Sequence, residues 1–555
     1  MEHLEQDRPI VLPKLWMLAA VFAAALVILG IGISRAKVAA PVSDPVGGYR
    51  SQDEALFANS SMTMATEGHW MTPRFLDRIY LLKPPLQLWL SGLSMKLLGI
   101  SLFALRLPML IAGAAGAALV FWWAGGRSAG VGMIAALLLL SDPMWHIFSR
   151  LCYTDLLLSF FATAALFFVA RDPGLEQQYS IIGFGIATGA AIMTKNVAGA
   201  IPILTLFVFA AAVHREQRPP VWRILAACVI AGVVAVPWHV YELLRHFRWF
   251  WADYVQTQIL TYGVNPPAQI SSEIPLVFYA KRLFLVDPVL CAAALAAIPA
   301  LALAIRRRDP QAVLLSSWVV VIALALSSFQ VRGQFRWVLF LIPPLCLMSA
   351  RFAMLRPKWM IVVLCGAFAV KAAVPAKTWG LSFGEYPPMP AEKILREYSD
   401  RARPNPLVAV ETDDELYSAT LPLSKINYVW IDPSGLVERL APHYVQLGIT
   451  VTAAQFDDLE KWEPGFRERL REWGLNTDTP IATAVVATTD ADVAKIVATH
   501  PDADFYLPAR FQAILGDTSA THAEQSLANG RFFLLARHAP ANPTLRPKWK
   551  LPRNW

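Results

Sequence analysis

The sequence predicts an all-α polytopic membrane protein followed by a soluble α/β domain, and three observations carry that prediction. Of 555 residues, 56% are hydrophobic and only 16% are charged, against about 25% charged in an ordinary soluble domain. Apolar runs near the ~20 residues needed to cross a bilayer recur along residues 15–376. Beyond residue 380 the runs shorten and charge returns.

The candidate spans are 15–33, 101–123, 129–147, 151–170, 179–193, 197–213, 222–238, 283–305, 311–329, 336–354 and 359–376, about eleven in all. The first is longer than the ~7–15 residues of a secretory signal core, and Pro41 follows directly on the VAA that would precede a cut. A retained first span is therefore expected. The run 179–213 is interrupted only at Thr194-Lys195-Asn196; as one helix it would overshoot the hydrocarbon core, so two short spans turning at Lys195 are expected.

Orientation follows from the short loops. Arg127, Arg215, Arg218, Arg223, Arg306, Arg307, Arg308, Arg351, Arg356 and Lys358 fall on one side, which the positive-inside rule makes cytoplasmic. The N-terminus is then inside, and residues 34–100 and 380–555 lie outside. The formal net charge of +8 resides in these loops, so it is a topological signal and not a nucleic-acid surface. Five cysteines sit within or beside apolar runs without a CxxC spacing and read as small packing residues.

Residues 1–379 thus form the membrane domain, with its long first loop at 34–100, and 380–555 a second domain. In the latter, PLVAVE (406–411), INYVWI (426–431) and GRFFLLAR (530–537) read as strands, while AAQFDDLEKW and DADVAKIVATH read as helices.

On the outer side, Asp53 and Glu54 open a predicted helix over 52–67, where the helix N-terminus favours acids. That placement alone is equally a helix-start signal on a solvated loop. Lys83 precedes Pro84-Pro85, which force an extended corner and then start a helix, LQLWLSGLSMKLL, at the membrane interface. Its ammonium is either a lipid anchor or a phosphate ligand. Asp155 sits just inside an apolar span, a costly position that requires a partner, and Arg150 is the nearest candidate. Lys195, Arg245 and Arg336 add cations on the same side. Carboxylates that take a hydroxyl proton, beside cations that hold a phosphate leaving group, are the apparatus of group transfer from a lipid phosphate.

At these residues the sequence resembles the aminoarabinose transferase and protein O-mannosyltransferase family of C-type (GT-C) membrane glycosyltransferases. The shared pattern is the acidic pair at 53–54, a Gly-aromatic-x-x-Pro step, Tyr-x-x-Lys-Pro-Pro at 80–85, Arg150 followed by Asp155, a lysine before the sixth span and Pro-Trp at 237–238. It covers most of 45–240. The resemblance implies an inverting transferase that takes a sugar from a polyprenyl-phosphate (undecaprenyl-phosphate) donor to lipid A, another envelope glycan or protein. It implies that Asp53 is the general base, that Asp155 shares that role or orients the acceptor, and that Lys83 grips the lipid phosphate. Glu54, Arg150, Lys195, Arg245 and Arg336 are implied substrate-binding residues.

Two departures stand out: Leu82 replaces the acid that some relatives carry before the KPP lysine, and YVQTQILTYG replaces a stretch in which relatives have histidine and Arg-Phe. A metal shell built from those groups is two ligands short, so no metal or cofactor is expected to be required. A transporter of lipid-linked sugars is the alternative; it predicts charge spread through the membrane depth. A third reading, with the membrane part merely anchoring 380–555, lacks a catalytic motif in that domain.

Overall fold

The computed structural model describes residues 15–31, 33, 42–43, 50–51, 53–75, 78–126, 128–247, 250–261, 274–328 and 335–353, with six strands and one helix beyond residue 400. The membrane part is helical. Among the described residues, six helical stretches are long and apolar enough to cross a bilayer: Phe103–Gly125, Thr154–Arg171, Gln178–Ala212, Arg215–Arg245, Pro288–Arg306 and Pro310–Ser327. Leu15–Gly30 (α1) and Ala129–Leu140 (α5) are apolar but shorter.

The expected eleven spans are therefore not reached among these residues, and proline explains much of the difference. The run 129–147 divides at Asp142, whose carboxylate caps the amide of Trp145 at 2.8 Å, and Pro143 then starts a short helix, Pro143–Phe148 (α6). The run 283–305 divides at Asp287-Pro288 in the same manner, with Asp287 capping Leu290 at 2.8 Å. The run 336–354 becomes a 3-10 segment, Phe335–Leu341, and a helix, Ile342–Ala353. The last predicted span, 359–376, lies outside the described residues.

The break expected at Lys195 is present. Gln178–Lys195 (α8) ends there, Asn196 takes a φ of 44°, and a 3-10 turn leads to Ile201–Ala212 (α9). Gly199 allows the chain to close on itself, since a Cβ there would lie 2.2 Å from the Ile192 amide nitrogen.

Thr154–Arg171 (α7) is central: it contacts Leu102–Gly125 (α4), α8, α9 and the 3-10 segment. Buried leucine, alanine and aromatic side chains from these elements form one continuous core. The short helix α6 is pinned to α4 by Trp145, which donates to the Gly113 carbonyl at 3.2 Å. Gly116 makes room for that indole, as a Cβ would stand 2.5 Å from the ring.

The first loop contains the expected helix, Asp53–Glu67 (α2), and Pro85 precedes Leu86–Leu98 (α3) as predicted. Beyond residue 400, Leu407–Val410, Asn427–Ile431, Ala484–Ala487, Asp504–Pro508, Thr521–Leu527 and Phe532–Arg537 (β1 to β6 in chain order) form a mixed six-stranded sheet of order β3-β2-β1-β4-β6-β5. The three strands read from sequence are among them, as is the helix Asp490–Thr499. AAQFDDLEKW lies outside the described residues.

Candidate active site

Asp155 is in the first turn of α7 and Lys195 is the last residue of α8. A six-residue connection joins these two helices, so they run antiparallel and place the two residues at the same end of the bundle. The ammonium of Lys195 donates to Oδ1 of Asp155 at 2.6 Å. Arg336, from the 3-10 segment, lies 3.4 Å from Oδ2. The carboxylate is 1% exposed. A charge so buried is tolerable only when paired, and here two cations meet one acid.

Aromatic faces frame the cations. Lys195 Nζ is 5.8 Å and 5.6 Å from the ring centres of Trp337 and Phe340, and the Arg336 guanidinium is 5.1 Å from Tyr153. Such contacts hold a cation without neutralising it. Asp155 Oδ2 makes no hydrogen bond, which leaves an acceptor position toward the cluster.

Lys83 occupies the extended corner before Pro84. It donates to Oε1 of Gln258 and is near enough to act electrostatically on Asp155. The residue two positions earlier, Leu81, donates its amide to Asp253 Oδ2 at 3.1 Å.

Glu54 is fully internal. Its oxygens take Arg106 Nε at 2.7 Å and Nη2 at 2.8 Å, a bidentate pair between residues 2% and 0% exposed. Oε1 also accepts the Cys152 amide at 2.9 Å, and Arg106 Nη1 donates to the Ile33 carbonyl at 3.0 Å. Glu54 thus ties the start of α2 to α4 and to the turn entering α7. Both oxygens of Glu54 therefore accept hydrogen bonds from within the protein. Asp53, its chain neighbour, is the first residue of α2, and its side chain lies outside what is described.

Arg150 is not brought onto Asp155 as expected. It lies in the turn after α6, with Nη1 3.4 Å from His146 Nε2. Burial, and then Arg106, lower its pKa to about 10, so it stays charged at neutral pH. Arg245 is exposed at the end of α10 (Val221–Arg245), beside His246, and does not join the cluster.

Three successive residues of the first loop are fastened to the bundle. Trp89 Nε1 donates to the Trp70 carbonyl, Trp238 Nε1 to the Met71 carbonyl at 2.8 Å, and Thr72 Oγ1 to Glu242 Oε1 at 2.8 Å. Sequence reading passed over Arg106, Asp253 and Gln258. Arg106 had a signal: a lone arginine inside LFALRLPML requires a buried partner. Among the described residues, no three His, Cys, Asp or Glu side chains converge as a metal site would require.

Residues 82–241 match the dolichyl-phosphate-mannose-protein mannosyltransferase family. The undecaprenyl phosphate-alpha-4-amino-4-deoxy-L-arabinose arabinosyl transferase of Pectobacterium carotovorum subsp. carotovorum is 30% identical over 220 residues, which are 37% of this chain and 39% of that protein. The enzyme of the same name from Yersinia pestis is 26% identical over 321 residues, 54% of each chain. The chain thus spans between two-fifths and about half of the length of these curated relatives. Among solved structures, ArnT from Cupriavidus metallidurans bound to undecaprenyl phosphate aligns with a TM-score of 0.67 at 17% identity, covering 96% of this chain and 100% of that one. Its apo form aligns at 0.65 over 94% and 97%. The fold is that of ArnT, and the family resemblance read from residues 45–240 holds.

Proposed function

We propose that this chain is an integral-membrane glycosyltransferase that moves a sugar from undecaprenyl phosphate to an acceptor hydroxyl or phosphate, with inversion at the transferred carbon. The acceptor is lipid A, another envelope glycan or a protein, reached at the outer face of the bacterial inner membrane. The observation that carries the reading is the buried Asp155, held between Lys195 and Arg336, at the end of the bundle where the Lys83 corner and the start of α2 also lie.

The arrangement suits the chemistry. Inversion needs a base on the acceptor oxygen and positive charge on the departing lipid phosphate. Asp155 is committed to ordering two cations, which leaves Asp53 as the group for the acceptor proton. Lys83 meets the phosphate, and Lys195 and Arg336 complete the positive field in a setting where low dielectric strengthens it. The names of the curated relatives, and the undecaprenyl phosphate held by the solved relative, support the donor class.

In this reading the chain crosses the membrane eleven times with its N-terminus inside, and residues 380–555 form a periplasmic α/β domain accessory to the acceptor. No metal takes part. Transport requires charge through the depth of the membrane; the gathering of Glu54, Arg106, Asp155, Lys195 and Arg336 at one end supports transfer instead. Mass spectrometry of envelope lipids and glycoproteins from cells with and without the gene tests the proposal. A sugar mass lost from one acceptor class is expected; unchanged envelopes under expressing conditions would overturn it.

A further inference from the structure

The π-helix Phe250–Thr261 touches the Lys83 corner at two points. π-helical turns are rare and recur at functional sites, because their i→i+5 bonding carries residues five apart onto one face. Asp253 and Gln258 are five apart. The first accepts the Leu81 amide and the second accepts the Lys83 ammonium. Pro84 keeps Lys83 out of helical geometry, so the backbone at 81 and the side chain at 83 are both set from the π-helix. That helix is itself seated on α10: Tyr254 hydroxyl lies 2.7 Å from His239 Nε2, and its ring stacks on Phe250 at 4.8 Å.

We infer that Gln258 is the positioning residue that holds Lys83 ready for the lipid phosphate, and that its lack of charge is the property that matters. This rests on the reading of Lys83 as the phosphate ligand. An ammonium has three protons to donate. An amide oxygen accepts one of them and orients the group without neutralising it. A carboxylate at the same place forms an ion pair with Lys83, and an arriving phosphate must then compete with it. Lys83 and Asp155 already interact electrostatically, so an added acid lowers the positive balance on which the site depends.

Shape and charge can be separated by substitution. The full-length chain in nanodiscs is titrated with undecaprenyl phosphate, alongside Gln258→Met, Gln258→Glu and Lys83→Ala, with insertion and thermal stability checked for each. Gln258→Met loses one hydrogen bond of orientation and weakens binding about threefold to tenfold. Gln258→Glu, the closest in shape, weakens it more, by about tenfold or beyond, because the charge is cancelled. In a Lys83→Ala background the Glu substitution has no further effect. A purely structural role would rank Glu as the mildest change, and that order, or wild-type affinity in a well-inserted Gln258→Met, overturns the inference. If Lys83→Ala itself binds normally, the phosphate role of Lys83 fails instead, so the two failures are distinct.

Discussion

Lys195 donates to Asp155 at 2.6 Å across forty residues of sequence, and Arg336 closes on the other oxygen from a third segment. Removing the acid therefore takes a buried carboxylate away from two cations at once. Asp155→Asn keeps the shape but not the charge, and sugar transfer should fall by about 100-fold or more. Reconstituted turnover checks this, with insertion as the control.

Asp53→Asn should abolish transfer while leaving expression and insertion intact, because Glu54 anchors the start of α2 to the turn entering α7. Wild-type turnover in that variant would exclude Asp53 as the base. In parallel, Lys83→Ala should raise the donor KM with a smaller change in kcat, measured across donor concentrations.

Glu54→Gln leaves Arg106, wholly buried, beside a neutral amide. Breaking one side of a buried pair costs about 3–5 kcal/mol, so a lowered Tm in detergent is expected. Glu54→Gln combined with Arg106→Met should recover part of it, since neither charge of that pair then remains buried.

His246, just past the end of α10, has its pKa lowered from 6.5 to about 4, chiefly by burial and then by Arg245 and Arg74. It folds neutral and takes a proton more readily when unfolded, so its contribution is complete above pH 6.5 and is lost as pH falls toward 4. Tm measured from pH 7 to pH 4 should drop, and His246→Gln should flatten part of that drop.

Chelation should leave turnover unchanged. Among the described residues, the charged partners of Asp155 are lysine and arginine, which repel a cation. Loss of transfer in EDTA with recovery on adding a divalent ion would contradict this.

Local chemistry was legible in the sequence and pairing was not. Pro84-Pro85 after Lys83 announces a corner and a helix start, and the break at Lys195 follows from the length of its apolar run. The partner of Asp155 was sought at Arg150 because it is near in sequence, yet the turn between α6 and α7 sends Arg150 toward His146. The true partners lie 40 and 181 residues away, a separation that carries no local signal. Proline and aspartate caps divide several apolar runs that hydropathy alone reads as whole spans.

The fastening of Trp70, Met71 and Thr72 to two different helices leaves that stretch without a hinge of its own. Any tilt of the helix bearing Trp238 and Glu242 is carried to Pro73 and onward along the chain to the basic corner. Helix tilt adjusts to bilayer thickness, so the lipid composition of the host membrane becomes a setting on how this corner is shaped.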